Sequence, residues 1–280
     1  MRLTCLLLIG FIPFYAFPQP QPPQSYSLNY LLKEHPYDTL DKYSYLIISL
    51  DRQAKNGDVA TGFFYRKKKK LFLVSAYHLF SGFNVLTKTF SDVRPDVLVV
   101  WYKDMSDTFR TEVLSLRRHN RRSRDSIFRL SDVDMMDVSK YFKNGKIYSV
   151  EKMMSEGNYY SQVMKGDTVV AYGFPNVSVT TFDSLRKNLT VPPKGYLCMA
   201  SDTPSNQQSR NSDLPTVYRY IFPPLQKGIS GAPIFRVKTE SADRKIIEFM
   251  GIQSFSSTDS TNSMIVNESE MIKLLRYFKQ

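Results

Sequence analysis

Apolar residues in this 280-residue chain come in short runs, each about the length of a β-strand and each followed by turn-forming residues. Residues 45–50, 96–102, 111–116, 167–175, 196–200 and 218–222 each read as one strand. Residues 61–65 and 71–74 flank the lysine run 67–70, which predicts a hairpin with a basic tip. Residues 232–237 and 246–254 predict a second hairpin. Only the last stretch carries a helical period. Asn267 caps it, Glu270 completes a capping box, and Met271, Leu274, Leu275 and Phe278 fall on one face. An aromatic content of 14% and frequent Gly and Pro agree with β structure. Many short strands closed by one helix restrict the chain to all-β barrels or a sandwich.

The N-terminus has a different texture. Arg2 precedes an apolar run, residues 3–15, then Ala16 and a Pro/Gln-rich stretch, residues 19–25. This is the layout of a signal peptide over residues 1–18, followed by an extended linker over residues 19–40. The run falls short of the roughly 20 residues a membrane-crossing helix needs, so no stable membrane insertion is expected; a retained anchor is the alternative. Cys5 belongs to the leader, leaving Cys198 without a partner for an internal disulfide. The expected location is secreted or periplasmic.

The net charge of +12 concentrates in residues 67–70 and 117–124. Neither cluster has an aromatic platform or a nucleic-acid motif beside it, so both read as solvated loop tips. No nucleic-acid partner is expected.

Two segments carry chemistry. In Gly228-Ile229-Ser230-Gly231-Ala232-Pro233 a serine sits between glycines on a tight turn, with bare backbone N–H groups beside its hydroxyl. In Ser75-Ala76-Tyr77-His78 a histidine follows the apolar run 71–74. The other two histidines are less apt as a base. His35 precedes a proline near the linker, and His119 sits in the arginine-rich loop. Between His78 and Ser230 an aspartate-led segment holds Asp132, Asp134 and Asp137. A serine hydroxyl is a poor nucleophile until a base takes its proton, so this set in this order suggests a Ser-His-Asp hydrolase.

These segments and their order resemble the trypsin-like (chymotrypsin-fold) serine peptidases, above all the bacterial members without disulfides. Thr61-Gly62-Phe63-Phe64 resembles that family's Gly-x-Gly-Phe element, and Gly166-Asp167-Thr168-Val169 with Gly173-Phe174-Pro175 the strand that opens its second barrel. The resemblance spans residues 45–280. It implies two six-stranded antiparallel β-barrels, residues 41–150 and 151–280, the second carrying the C-terminal helix. It also implies the roles: Ser230 the nucleophile, His78 the general base, and the N–H groups of Gly228 and Ser230 the oxyanion hole. The triad acid opens a strand patterned Asp-apolar-x-apolar-apolar-x-apolar. From Asp132 the apolar slots hold Val133, Met135, Met136 and Val138; from Asp134 one of them holds Asp137. Asp132 is therefore chosen, with Asp134 as the alternative.

By the same resemblance Pro224 marks the pocket floor, and Ile252, Gln253 and Ser254 form one wall. No acidic residue stands at the floor, so cleavage after Lys or Arg is not expected; a polar or small side chain is. Ile229 precedes the serine where zymogen-activated members carry an aspartate, so activation through a buried N-terminal ammonium is not expected either. The expected function is a serine endopeptidase acting on polypeptides without cofactor or metal. The alternative is a catalytically inactive domain of the same fold that binds peptide or protein.

Overall fold

The computed structural model describes residues 40–53, 57–84, 87–91, 94–106, 108–117, 119, 132–142, 147–153, 168–175, 177, 196–201, 217–221, 228–241, 244–256 and 262–267. The expected leader, nearly all of the linker, Pro224 and the C-terminal helix lie outside the described residues.

After a 3-10 turn at Leu40–Tyr43, the first half forms eight strands: Tyr45–Leu50 (β1), Gly57–Lys67 (β2), Lys70–Ala76 (β3), Phe83–Asn84 (β4), Thr89–Phe90 (β5), Val97–Lys103 (β6), Phe109–Ser115 (β7) and Val133–Asp137 (β8). A single helical turn, Tyr77–Ser81 (α1), follows β3. The second half adds Thr168–Gly173 (β9), Tyr196–Ser201 (β10), Val217–Ile221 (β11), Pro233–Ser241 (β12), Arg244–Ser256 (β13) and Asn262–Asn267 (β14). Two six-stranded antiparallel sheets result, ordered β7-β6-β1-β2-β3-β8 and β10-β9-β12-β13-β14-β11; β4 and β5 pair separately.

The expected hairpins form. β2 and β3 meet with Lys67 opposite Lys70, so Lys68 and Lys69 are the turn, Lys68 at φ +54°. β12 and β13 form the second hairpin. The short strands β4 and β5 and the longer β14 have no counterpart in the sequence reading. β14 ends at Asn267, the residue read as a helix cap.

Burial explains why several strands lack a clean apolar–polar alternation. All six residues of β1 are buried. Tyr45 and Ile47 enter a cluster inside the first sheet, with Phe64, Leu71, Leu73, Leu98 and Phe142. Leu46, Ile48 and Leu50 face the other way, onto Val99, Trp101 and Phe174. A strand covered on both faces has no solvent side to make polar. β2, β3 and β8 divide similarly. Phe63, Phe72, Val74, Val133 and Met135 join Val170, Tyr172, Phe235, Phe249 and Ile252 in one core shared by the two sheets. That shared core holds the ends of β3, β8 and β13 together, and the chemistry-bearing residues lie at those ends.

Candidate active site

β3 gives way to α1 at Ala76, and the first N–H groups of a helix have no partners within it. Asp132 supplies them. Its carbonyl accepts the Tyr77 N–H at 3.0 Å, and its Oδ1 accepts the His78 N–H at 3.1 Å. The same carboxylate reaches the imidazole, with His78 Nδ1 3.1 Å from Oδ2 and 3.2 Å from Oδ1. A fourth contact comes from the second sheet, where the Ser254 hydroxyl donates to Oδ2 at 3.0 Å. Asp132 stands just before β8 with φ +47°, a left-handed conformation that aspartate accepts better than most residues. A carboxylate buried this deeply, 2% exposed, needs such partners to remain charged.

The His78 side chain is 31% exposed, so one edge of the ring is open while the other is held. Burial of the ring, the largest single influence, disfavours its protonated form. The charge and hydrogen bond of Asp132, together with the charge of Asp58, outweigh that effect and raise His78 above its ordinary value. With Nδ1 against Asp132, Nε2 is the nitrogen left to exchange protons.

Ser230 is half-buried, on a turn that two glycines make possible. Gly228 has φ +104° and Gly231 φ +86°, which side chains strongly disfavour. Space forbids a side chain as well. A Cβ on Gly228 would collide with the Phe174 carbonyl oxygen, and one on Gly231 with the Thr61 carbonyl and the Ser75 hydroxyl. The turn thus lies against the end of β3, two to three residues before His78.

Two strands fasten this turn. From β13, the Gln253 carbonyl accepts the Gly231 N–H at 2.7 Å, and the Gln253 N–H donates to the Ala232 carbonyl at 2.9 Å. From β2, the Thr61 N–H donates to the Ser230 carbonyl at 2.9 Å, and the Thr61 hydroxyl donates to the Gly228 carbonyl at 2.8 Å. β13 therefore carries both the anchor of the serine turn, Gln253, and the partner of the aspartate, Ser254.

The residues read as a pocket wall are placed differently from one another. Ile252 is fully buried in the shared core, and Gln253 is buried behind the serine turn. The Ser254 side chain is fully buried and donates its hydroxyl to Asp132. Its place in the sequence, just after two buried residues of a strand, gave no sign of this.

Asp134 departs further from its sequence reading. It stands at an unrestricted position of the pattern that starts from Asp132, yet it is fully buried, and its Oδ2 lies 2.8 Å from His119 Nε2, not from His78. The Met135 N–H donates to Oδ1 at 2.7 Å. His119, placed by sequence in a solvated basic loop, is 8% exposed and packs its ring 5.2 Å from that of Phe80. The usable signal was the charge itself: a buried carboxylate demands a partner, and a histidine lay 15 residues upstream. Asp137, at the other end of β8, is half-exposed and is engaged by Ser139 and Lys70.

Among the described residues, no group of three or more His, Cys, Asp or Glu side chains is placed to hold a metal ion. No described helix is long and apolar enough to cross a membrane.

No protein-family model matches the sequence, and no curated protein does. Solved structures do. The active form of the Rv3671c protease from M. tuberculosis is similar over 97% of this chain and 93% of its own, at 13% identity and a TM-score of 0.50. Deg5 is similar over 86% of this chain and 94% of its own, at 11% identity and a TM-score of 0.51. Likeness at such low identity concerns the fold alone, and the fold is the chymotrypsin-like one.

Proposed function

We propose that this chain is a serine endopeptidase that cleaves polypeptides through an acyl-enzyme. The observation that carries the proposal is the His78–Asp132 pair. One ring nitrogen is fixed at 3.1 Å from a buried carboxylate, the ring stays 31% exposed, and the end of the strand leading to it lies against a serine turn built on two left-handed glycines.

The chemistry follows from the groups in place. Ser230 Oγ attacks the scissile carbonyl carbon while His78 Nε2 takes its proton. The carbonyl oxygen becomes an oxyanion, received by the N–H groups of Gly228 and Ser230. Asp132 holds the tautomer that leaves Nε2 free to accept, and it stabilises the imidazolium that forms. The imidazolium then protonates the leaving amine as the C–N bond breaks, which leaves an ester on Ser230. Water, deprotonated by the same nitrogen, hydrolyses that ester and restores the serine. Each oxyanion donor contributes about 3 kcal/mol in enzymes that work this way.

An exported location, secreted or periplasmic, belongs to the same proposal. The Arg2 and residue 3–15 pattern of the N-terminus supports it.

The test is cleavage of an unbiased peptide library by the purified chain beside Ser230→Ala. Internal cleavage by the native chain and none by the variant is the expected result. A well-folded native chain that cleaves nothing, or a variant that cleaves equally well, overturns the proposal.

A further inference from the structure

Thr61 is fully buried on β2, in the first sheet, yet most of its polar partners belong to the second half of the chain. Its hydroxyl donates to the Gly228 carbonyl at 2.8 Å and accepts the Phe174 N–H at 3.1 Å. Its own N–H donates to the Ser230 carbonyl at 2.9 Å, and its carbonyl accepts the Ser75 hydroxyl at 2.7 Å. One residue thus touches both ends of the Gly228–Ser230 turn, the segment after β9, and the strand that leads to His78.

The hydroxyl has a narrower task than the backbone groups. Thr61 N–H and C=O would make their bonds whatever side chain stood there. The single hydroxyl proton acts on the Gly228 carbonyl, which belongs to the peptide linking Gly228 to Ile229. Glycine at φ +104° has wide rotational freedom, so something outside it must fix its orientation. Anchoring the carbonyl on one side of the Gly228 Cα restricts where the N–H on the other side can aim. The neighbouring Ser230 is fixed through its own carbonyl by the same residue. Oxyanion donors act only when they already point where charge develops, because turning them during the reaction would cost the energy they return.

We infer that the Thr61 hydroxyl is a positioning group for the oxyanion-binding turn, setting the aim of the Gly228 N–H from across the sheet-to-sheet boundary. The inference rests on the endopeptidase reading above. It concerns the transition state and not the binding of substrate, and this separates it from a purely structural role.

The experiment compares the native chain, Thr61→Ser and Thr61→Val on one peptide taken from the library. A peptide aldehyde of the same sequence is measured beside it, since its adduct with Ser230 places an oxyanion in the hole. Thr61→Val is expected to lower kcat about 10- to 100-fold and to weaken aldehyde inhibition in proportion, with KM changed less than about threefold. Thr61→Ser, which keeps the proton, is expected to stay within about threefold of the native chain on every reading. Thr61→Ala replaces the valine variant if that one does not fold.

A hydroxyl-free variant that is folded and keeps native kcat and aldehyde affinity overturns the inference while leaving the endopeptidase reading intact. So does a serine variant as impaired as the valine one. A native chain that turns over no peptide and takes up no aldehyde removes the endopeptidase reading, and the inference falls with it.

Discussion

Two histidine–aspartate pairs hang from the same end of β8, two residues apart, and the structure treats them in opposite ways. Asp132 and Asp134 are both buried, and each has an imidazole nitrogen within about hydrogen-bonding reach, at 3.1 and 2.8 Å. Asp132 meets its histidine at Nδ1, and that ring is 31% exposed. Asp134 meets its histidine at Nε2, and that ring is 8% exposed and packed on Phe80. The residue types are identical. Access and choice of nitrogen decide what each pair can do: an open ring held at Nδ1 can pass protons, whereas a sealed one held at Nε2 ties a basic segment to β8. The backbone just before β8 produces the split: alternation alone would put residues 132 and 134 on one face, but Asp132 precedes the strand in a left-handed conformation, φ +47°. Val133 and Met135 enter the shared core, so Asp134 faces the other way, towards the cluster containing Phe80 and Met136.

The contrast breaks most visibly under truncation of the histidines. His78→Ala should lower kcat/KM by something on the order of a millionfold, leaving a chain that melts close to the native temperature. His119→Ala should do the reverse. Turnover per folded molecule should stay within about threefold, while urea melts show a loss of about 3 kcal/mol from the stranded Asp134 carboxylate. A folded His119→Ala chain as inactive as His78→Ala would erase the distinction.

The aspartates give a smaller but sharper version. Asp132→Asn should reduce kcat about ten-thousandfold, because the amide favours the wrong imidazole tautomer. Asp134→Asn should leave kcat of the folded fraction nearly native and show its cost in stability. Steady-state kinetics beside denaturant melts separates the two outcomes.

The pH profile adds a third comparison. The active base is neutral His78, and Asp132 and Asp58 favour the charged ring over the opposing effect of burial. Activity should therefore fall on acidification at a pH above the ordinary histidine value of about 6.5, about tenfold per unit once below the His78 pKa. Asp132→Asn removes a negative charge and should move that acid limb downwards. An unmoved limb would mean that another group controls it. Among changes to the His78–Asp132 pair and its partners, the smallest expected effect is that of Ser254→Ala, about tenfold in kcat, because Asp132 would lose one of its partners and keep the rest.

Much of this architecture is legible in the chain itself, because local pattern dictates it. The run 45–50 is a strand at those bounds, and the lysine run between two apolar stretches is a two-residue hairpin turn. Gly228 and Gly231 announce left-handed backbone around Ser230. The missed features all depend on contacts between segments distant in sequence. Ser254 looks like any small residue in a strand until β13 brings it to Asp132, 122 positions away. Thr61 looks like the start of a family motif until Gly228, 167 positions away, receives its hydroxyl. His119 reads as part of a charged loop because nothing adjacent reveals the buried carboxylate that draws it inward. Strand periodicity reports which face a residue occupies; it does not report what stands opposite.

The most direct test of the account is the rate of covalent labelling by a fluorophosphonate, with the modified residue located by mass spectrometry. It should be run on the native chain, Ser230→Ala, His78→Ala and His119→Ala under conditions where all four are folded. The account predicts a single adduct on Ser230 in the native chain and in His119→Ala at similar rates, and none in the other two. No adduct on the folded native chain, or equal labelling of His78→Ala, would contradict it.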